Sequence, residues 1–403
     1  MGHIYIVDSM MGTGKTWAAL NEIKGNPDRH YLYITPYLEE IENRVLPYLN
    51  ETMEFVTPDN SKYGTKLRSL KSFLSQKKNI VSTHALFILF DDEVSRLLRA
   101  GDYTLIMDEV SDVVAPYQIT KDDLDTLLNK YVVVEPENKL LRWRQDLSDY
   151  TGKFLPEKNL CDNGSLVLHG GVILWVFPIS VFRAFRKIYI LTYLFESQIQ
   201  RYYFDYYGLK YSYIYVEGDT IPYYTFTEEP VKEEYVYDFK NLIHVLDNEK
   251  MNEIGRNKTA LSKTWYANNK DNMEKLRKNV YNYFHNIMKS SGTRNMWTTF
   301  LDYKKTLVGK GYTRGFIALN ARATNKYRDR DVLAYTVNRY MQTYVKGLFL
   351  ANKIHVDEDG FALSEMLQWI WRSAIRDGKE IWIYVPSKRM RDLLKEWIAD
   401  NSP

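Results

Sequence analysis

Short apolar runs alternate with amphipathic stretches along the N-terminal part of the chain. Strands are predicted at residues 3–7, 30–35, 79–82 and 103–107, and helices at residues 16–23 and 38–49. Strands that alternate with helices in this way form a parallel sheet. Ligands of such sheets collect at the carboxyl ends of the strands. Four polar residues follow strands there: Ser9, Thr35, Thr83 and Asp108.

The pattern changes at about residue 130 and predicts a β-rich insertion over residues 130–180. Strands are predicted at residues 131–135 and 139–144, and a hairpin turns at Gly170-Gly171. Aromatic residues of this insertion could contact bases as a strand-separating wedge, although packing on the host domain is the interpretation that we prefer. They are Trp143, His169, Trp175 and Phe177. Tyr202, Tyr203, Tyr206 and Tyr207 have helical spacing, which favours a place in the core.

The α/β pattern returns with strands at residues 187–192 and 211–216. A polar segment at residues 228–234 predicts a boundary between two domains, residues 1–230 and 231–403. In the second domain, the pattern predicts strands and helices in alternation. The strands are at residues 241–246, 315–319 and 380–385, and the helices at 270–289, 329–341, 363–376 and 387–398.

Composition is that of a soluble globular protein, with 45% apolar and 26% charged residues among 403. No apolar run is long enough to span a bilayer, and no secretory signal precedes the first strand, so we expect a cytoplasmic protein. The single Cys161 excludes an internal disulfide and a structural zinc site. The net charge of +3 neither requires nor excludes a nucleic-acid partner.

A phosphate-binding loop is predicted between the first strand and the first helix. Its glycines let backbone N–H groups wrap a phosphate at the positive end of the helix. Lys15 is expected to reach the β- and γ-phosphates, and the hydroxyl of Thr16 to hold Mg²⁺. The predicted phosphate-binding residues are Ser9, Gly12, Thr13, Gly14, Lys15 and Thr16.

An acidic pair follows the apolar strand at residues 103–107. Asp108 is predicted to bind Mg²⁺, and Glu109 to orient or deprotonate the attacking water. An apolar strand that ends in Asp-Glu is weak evidence alone, but together with the phosphate loop it is strong. The adjacent glutamate favours hydrolysis over nucleotide binding alone. ATP and Mg²⁺ are the expected cofactors.

The motifs together resemble those of superfamily 2 (DEAD/DEAH-like) helicases, particularly the compact helicases of bacteriophages. The resemblance implies two RecA-like P-loop domains with parallel sheets, plus the β-rich insertion. It matches residues 9–16 and 108–111 to motifs I and II, and Thr192 to the coupling motif III. It also implies nucleic-acid contacts at Thr35, Pro36, Thr83, His84, Arg322 and Thr324. Thr-Pro and Thr-His pairs are also common as caps or turns.

Gln368, Arg372 and Arg376 resemble motif VI, and their i, i+4, i+8 spacing would place them on one stripe of a helix. The resemblance gives them a catalytic role in which one arginine reaches the triphosphate from the second domain. The spacing of the arginines leaves open which of Arg372 and Arg376 is that finger. A solvent-facing basic stripe is the other interpretation.

The predicted function is an ATP-dependent helicase or translocase that acts on DNA in phage replication or recombination. Single-stranded DNA is the expected partner, RNA is possible, and replication or recombination proteins are candidate partners. One alternative is a terminase-like packaging ATPase joined to a nuclease, for which Asp247 and the acids at residues 357–359 are the candidate metal ligands. The other is an NTPase switch without motor activity.

Overall fold

The computed structural model describes residues 2–36, 38–231, 237–319 and 325–403. The chain folds into two compact units. The first comprises Met1–Val231 together with Gln342–Val356, and the second comprises Lys232–Met341 with Asp357–Pro403. Each unit contains its own parallel sheet, so the predicted fold class is confirmed.

The strands of the first unit are β1 (His3–Asp8), β2 (His30–Thr35), β3 (Phe55–Val56), β4 (Asn79–Thr83), β5 (Tyr103–Asp108), β6 (Val114–Pro116), β7 (Val132–Val134), β8 (Leu141–Trp143), β9 (Leu166–His169), β10 (Val172–Val176), β11 (Lys187–Thr192), β12 (Tyr211–Glu217) and β13 (Thr225–Thr227). Its helices up to residue 206 are α1 (Lys15–Lys24), α2 (Leu38–Glu40), α3 (Leu46–Leu49), α4 (Lys66–Ser75), α5 (His84–Phe87), α6 (Asp92–Ala100), α7 (Lys121–Lys130), α8 (Leu155–Asp162), α9 (Ile179–Phe182) and α10 (Ile199–Tyr206).

The main sheet of the first unit has the order β13-β12-β1-β11-β5-β2-β4-β3. All of its pairings are parallel except that of β12 with β13. The central strands are buried on both faces, which explains why they read as continuous apolar runs. Because β11 lies between β1 and β5, the phosphate loop and the acidic pair leave the sheet on either side of it.

The β-rich insertion begins at β6, earlier than residue 130, because β6 pairs with β10 in the antiparallel sheet β6-β10-β9. The predicted hairpin is present, and both residues of its turn, Gly170 and Gly171, have positive φ. Trp143 and Phe177 are buried, and Trp175 packs against the insertion core. These three aromatic side chains therefore pack in the interior, as the preferred interpretation expects.

The second unit and the segment that returns to the first unit supply the remaining elements. They are α11 (Phe239–Leu242), β14 (Ile243–Val245), α12 (Glu249–Asn252), α13 (Lys263–Asn268), α14 (Lys270–Asn282), β15 (Asn295–Thr298), α15 (Lys304–Leu307), β16 (Val332–Tyr335), α16 (Thr343–Ala351), α17 (Glu358–Ile370), β17 (Ile381–Tyr384) and α18 (Lys388–Asp400). The second sheet is parallel, with the order β14-β17-β16-β15.

Helix α16 belongs to the first unit and packs on β6, β9 and β10 of the insertion. Gly347 permits this close approach, since a Cβ atom there would lie 2.9 Å from Nε2 of His169. Tyr344 of the same helix lies beside the turn glycine Gly170. The tip of the hairpin is thus covered by α16, a helix that lies more than 160 residues later in the sequence.

Two predictions for the second unit are wrong, and a third has the wrong bounds. Residues 329–341 hold the strand β16 in place of a helix, because its four residues are fully buried and pair with strands on both sides. Residues 315–319 form a single bridge and no strand, and the neighbouring strand of the sheet is β15. The helix predicted at residues 363–376 starts at Glu358 and ends at Ile370.

Candidate phosphate and nucleic-acid site

The phosphate loop joins β1 to α1 as predicted. Gly12 and Gly14 have φ of 87° and 86°, the left-handed region that glycine adopts without strain. The Lys15 ammonium donates to the carbonyl of Met10 at 2.8 Å and to that of Ser9, so it lies inside the loop. The Thr13 hydroxyl donates to the same Met10 carbonyl at 2.8 Å. The loop carbonyls therefore bind the Lys15 ammonium at the start of α1.

Asp108 and Thr16 come together at the carboxyl edge of the sheet. The Thr16 hydroxyl donates to Oδ2 of Asp108 at 3.3 Å, and the Tyr33 hydroxyl donates to the same oxygen at 3.2 Å. Burial raises the pKa of Asp108, while the charge of Arg44, the Tyr33 hydroxyl and Lys15 all oppose this rise. The carboxylate therefore lies among donors and positive charge, which is the environment in which it can serve as an anionic ligand.

Strand β11 ties the two halves of the site together. Thr192 is the register partner of Asp8 at the end of β1, and Leu191 is the partner of Asp108. The Ser9 N–H donates to the Thr192 carbonyl at 3.1 Å. The buried Thr192 hydroxyl donates to Gln198 at 3.0 Å. The predicted coupling residue thus contacts the start of the phosphate loop.

Glu109 follows Asp108 in a strained backbone conformation. Its φ is 68°, which an L residue adopts at a cost of roughly 1–3 kcal/mol. Its N–H donates to the carbonyl of Leu191 at 2.9 Å, which fixes this turn to β11. Backbone strain of this kind clusters at functional sites, and here it lies beside the predicted metal ligand.

The residues predicted to contact nucleic acid from the first unit lie at the same edge. Thr35 and Thr83 are register partners at the ends of β2 and β4, and Thr35 is buried. Pro36 continues from Thr35 into the loop before α2. His84 is also buried, and its Nε2 lies 2.9 Å from the carbonyl oxygen of Asp108. His84 thus connects this row to the acidic pair. Arg322 and Thr324 lie outside the described residues.

Gln368, Arg372 and Arg376 belong to the second unit and are half-buried. The prediction that they share one helical stripe is wrong, because α17 ends at Ile370. Beyond it, Arg372 lies in a turn, and Arg376 lies in the 3₁₀ turn Ala374–Asp377. The N–H of Ala374 donates to the Arg330 carbonyl at 2.8 Å, a bond to a distant loop that an α-helical N–H could not make.

The acids that suggested a nuclease have other partners in the second unit. Asp247 pairs with Lys395 at 3.1 Å on the surface. Asp357 caps the start of α17 by accepting the N–H of Gly360 at 2.9 Å, and Asp359 pairs with Arg389 at 2.6 Å. Within the described ranges, no group of three or more His, Cys, Asp or Glu residues could hold a metal ion.

Sequence patterns did not indicate several residues that complete the site. Asp8 accepts the N–H of Phe195 at 2.9 Å, and burial raises its pKa, opposed by that bond and by Lys15. Arg44 lies in a π-helical segment, pairs with Glu40 and lies 5.8 Å from the ring centroid of Trp17. Tyr33, the second donor to Asp108, was also not indicated. For Asp8 and Tyr33 the one available signal was a position near the end of a predicted strand, and for Arg44 there was none.

Comparisons with known proteins match most of the chain. The family model described as the YonV C-terminal Rossmann-like domain matches residues 237–398, and the model of the YonV middle domain matches residues 114–175. The chain is 38% identical over 414 residues to the SPbeta prophage-derived uncharacterized protein YonV of Bacillus subtilis (strain 168), with 100% of both sequences covered. The middle-domain match coincides with the β-rich insertion.

Two solved structures also align with the chain. One is an apo XPD structure, with a TM-score of 0.46 and 12% identity. The alignment covers 98% of this chain and 95% of the XPD chain. The other is an XPD helicase structure, with a TM-score of 0.44 and 11% identity. The alignment covers 100% of this chain and 95% of the XPD chain. In the part of the chain that the structure describes, no helix has the length and apolarity needed to cross a membrane.

Proposed function

The chain belongs to the YonV family, and we propose that it is a nucleoside triphosphatase that uses ATP and Mg²⁺ to move along nucleic acid, as a helicase or translocase. One observation carries this proposal. The hydroxyl of Thr16 and the carboxylate of Asp108 lie 3.3 Å apart beside the lysine of a phosphate loop. Triphosphate hydrolysis requires these groups at one point.

The oxygen atoms of Thr16 and Asp108 fit Mg²⁺, which prefers hard oxygen ligands. This ion usually binds through one or two carboxylates together with phosphates and water, and it needs no all-protein cage. Bound there, it would neutralise charge on the β- and γ-phosphates. Lys15 would hold the same phosphates, and Glu109 would accept a proton from the attacking water.

The motor activity is the second part of the proposal. Gln368 and one of Arg372 and Arg376 would complete the triphosphate site from the second domain, residues 231–403. If the domains close around bound ATP, their contacts with the nucleic-acid strand would change. Thr83, half-buried at the end of β4, supports the proposal because a hydroxyl at a strand end can bind sugar-phosphate without reading sequence. Its buried neighbour Thr35 is proposed for the same track, together with Pro36, His84, Arg322 and Thr324.

The prophage origin of the relative supports DNA as the substrate, and we propose a role in phage replication or recombination. ATP turnover should rise several-fold with single-stranded DNA, measured by phosphate release against a panel of single- and double-stranded DNA and RNA. Equal turnover with every nucleic acid and with none would leave an NTPase switch as the better description.

The matched variants are Lys15→Ala and Lys24→Ala, which lie on the same helix. Lys15→Ala should abolish turnover, because it removes the charge that holds the phosphates. Lys24 pairs with Glu51 on the surface, so its loss should leave turnover unchanged. Retained turnover in Lys15→Ala would refute the phosphate-loop assignment. Plasmid cleavage with Mn²⁺ that is lost in Asp247→Ala would support the terminase alternative instead.

A further inference from the structure

Beyond the phosphate contacts, the structure places an aromatic ring directly on the phosphate loop. A Cβ atom built on Gly14 would lie 2.4–2.5 Å from three ring atoms of Tyr224. Three nearly equal distances mean that the ring covers Gly14 with its face. Tyr224 is half-buried beside the start of α1.

The loop that carries Tyr224 is anchored to α1 and to the sheet. The side-chain amide of Asn21 donates to the carbonyls of Pro222 and Tyr224, at 2.5 and 2.8 Å. Tyr48 donates to the amide oxygen of the same Asn21 at 2.7 Å. Two residues beyond Tyr224, Phe226 stacks on Tyr189 with ring centroids 5.1 Å apart. The backbone of the loop is thus held on both sides of Tyr224.

We propose that Tyr224 is the platform on which the nucleobase of the bound triphosphate stacks. This inference rests on the proposed function, because it requires phosphates in the loop. The base is joined to those phosphates through a single ribose, so a ring that packs on the loop at Gly14 lies within its reach. Flat aromatic rings bind bases through their faces.

A stacking platform implies loose base selectivity. Every base has a π-face, and stacking on a side chain does not read the hydrogen-bonding edge. The backbone carbonyls of Pro222 and Tyr224 already accept from Asn21, so we do not expect them to read a base edge. ATP, GTP, CTP and UTP should therefore bind within a few-fold of one another.

The test compares two probes that share phosphates but differ in the base. Binding of the β,γ-imido analogue of ATP and of inorganic tripolyphosphate, both with Mg²⁺, is measured by calorimetry for the full chain. Tyr224→Ala should weaken the nucleotide analogue roughly tenfold or more, the usual loss of one base stack. It should leave tripolyphosphate binding within twofold. Tyr224→Phe should bind both as the wild type does.

The neighbouring Tyr223 provides the matched control, since it is 75% exposed and Tyr223→Ala should change neither affinity. An equal loss of both probes in Tyr224→Ala would overturn the inference and assign the ring to support of the loop. No loss of either probe would also overturn it. If the wild type binds neither probe, the phosphate-loop proposal itself fails, and this inference with it.

Discussion

Tyr33 provides a sharp test of the proposed metal site, because Tyr33→Phe removes only the phenolic hydroxyl group. The side chain is fully buried in β2, and its hydroxyl donates to Oδ2 of Asp108 at 3.2 Å. The ring stays in place, so packing should change little. What the variant loses is one donor to the carboxylate that we propose as a Mg²⁺ ligand.

The size of the effect follows from the geometry. A hydrogen bond to a charged group contributes roughly 1.5–3 kcal/mol. The observed 3.2 Å is longer than the roughly 2.5–2.7 Å of a strong hydroxyl–carboxylate bond. We therefore expect the lower end, about 1.5 kcal/mol, which corresponds to a roughly tenfold higher Mg²⁺ concentration for half-maximal turnover at a pH where a proton occupies Asp108 in the absence of the metal.

The direction with pH follows from the same bond. Burial raises the pKa of Asp108, and the Tyr33 hydroxyl is one of the groups that oppose this rise. Its loss should raise the pKa further, so that a proton competes with Mg²⁺ from a higher pH downwards. The difference between variant and wild type should therefore grow as the pH is lowered and shrink as it is raised.

The assay is ATP turnover against Mg²⁺ concentration at several pH values. Tyr31→Phe is the matched control, since Tyr31 is equally buried in the same strand and its hydroxyl lies 3.5 Å from the carbonyl of Asn26, away from the site. It should show the wild-type requirement. If Tyr33→Phe also shows the wild-type Mg²⁺ requirement at every pH, the proposed role of Asp108 as a ligand is refuted.

Three further predictions follow from single residues. Gly14→Ala should lose nucleotide binding, and normal binding would contradict this prediction. Gly171 also has positive φ but has open space around it. Gly171→Ala should therefore keep turnover and lose about 1 kcal/mol of unfolding free energy, measured by urea titration. Burial raises the pKa of Cys161 to about 12, so the thiol should resist alkylation at pH 8 until the protein unfolds, and rapid labelling of the native protein would disprove its burial. Arg376→Ala should slow turnover far more than it weakens ATP binding; if Arg372→Ala alone does so, Arg372 is the finger.

Local features of the site could be predicted from the sequence because they are contiguous. The phosphate loop needs glycines, a lysine and a threonine at fixed spacing between a strand and a helix, and residues 9–16 contain all of these. The order of buried strands also predicted the parallel fold. In contrast, the apolar run at residues 332–335 fits a buried helix as well as a buried strand. Only its pairing with β15 and β17 decided the matter.

The phosphate loop, the acidic pair and the fold class can therefore be predicted from the sequence, since each depends on neighbours along the chain. The contact of Tyr33 with Asp108, the packing of Tyr224 on Gly14 and the return of α16 to the first unit are visible only in the folded protein. So is the end of α17 at Ile370, after which the N–H of Ala374 bonds to the carbonyl of Arg330. Each of these contacts joins residues far apart in sequence, and they form only where strand order and register bring distant segments together.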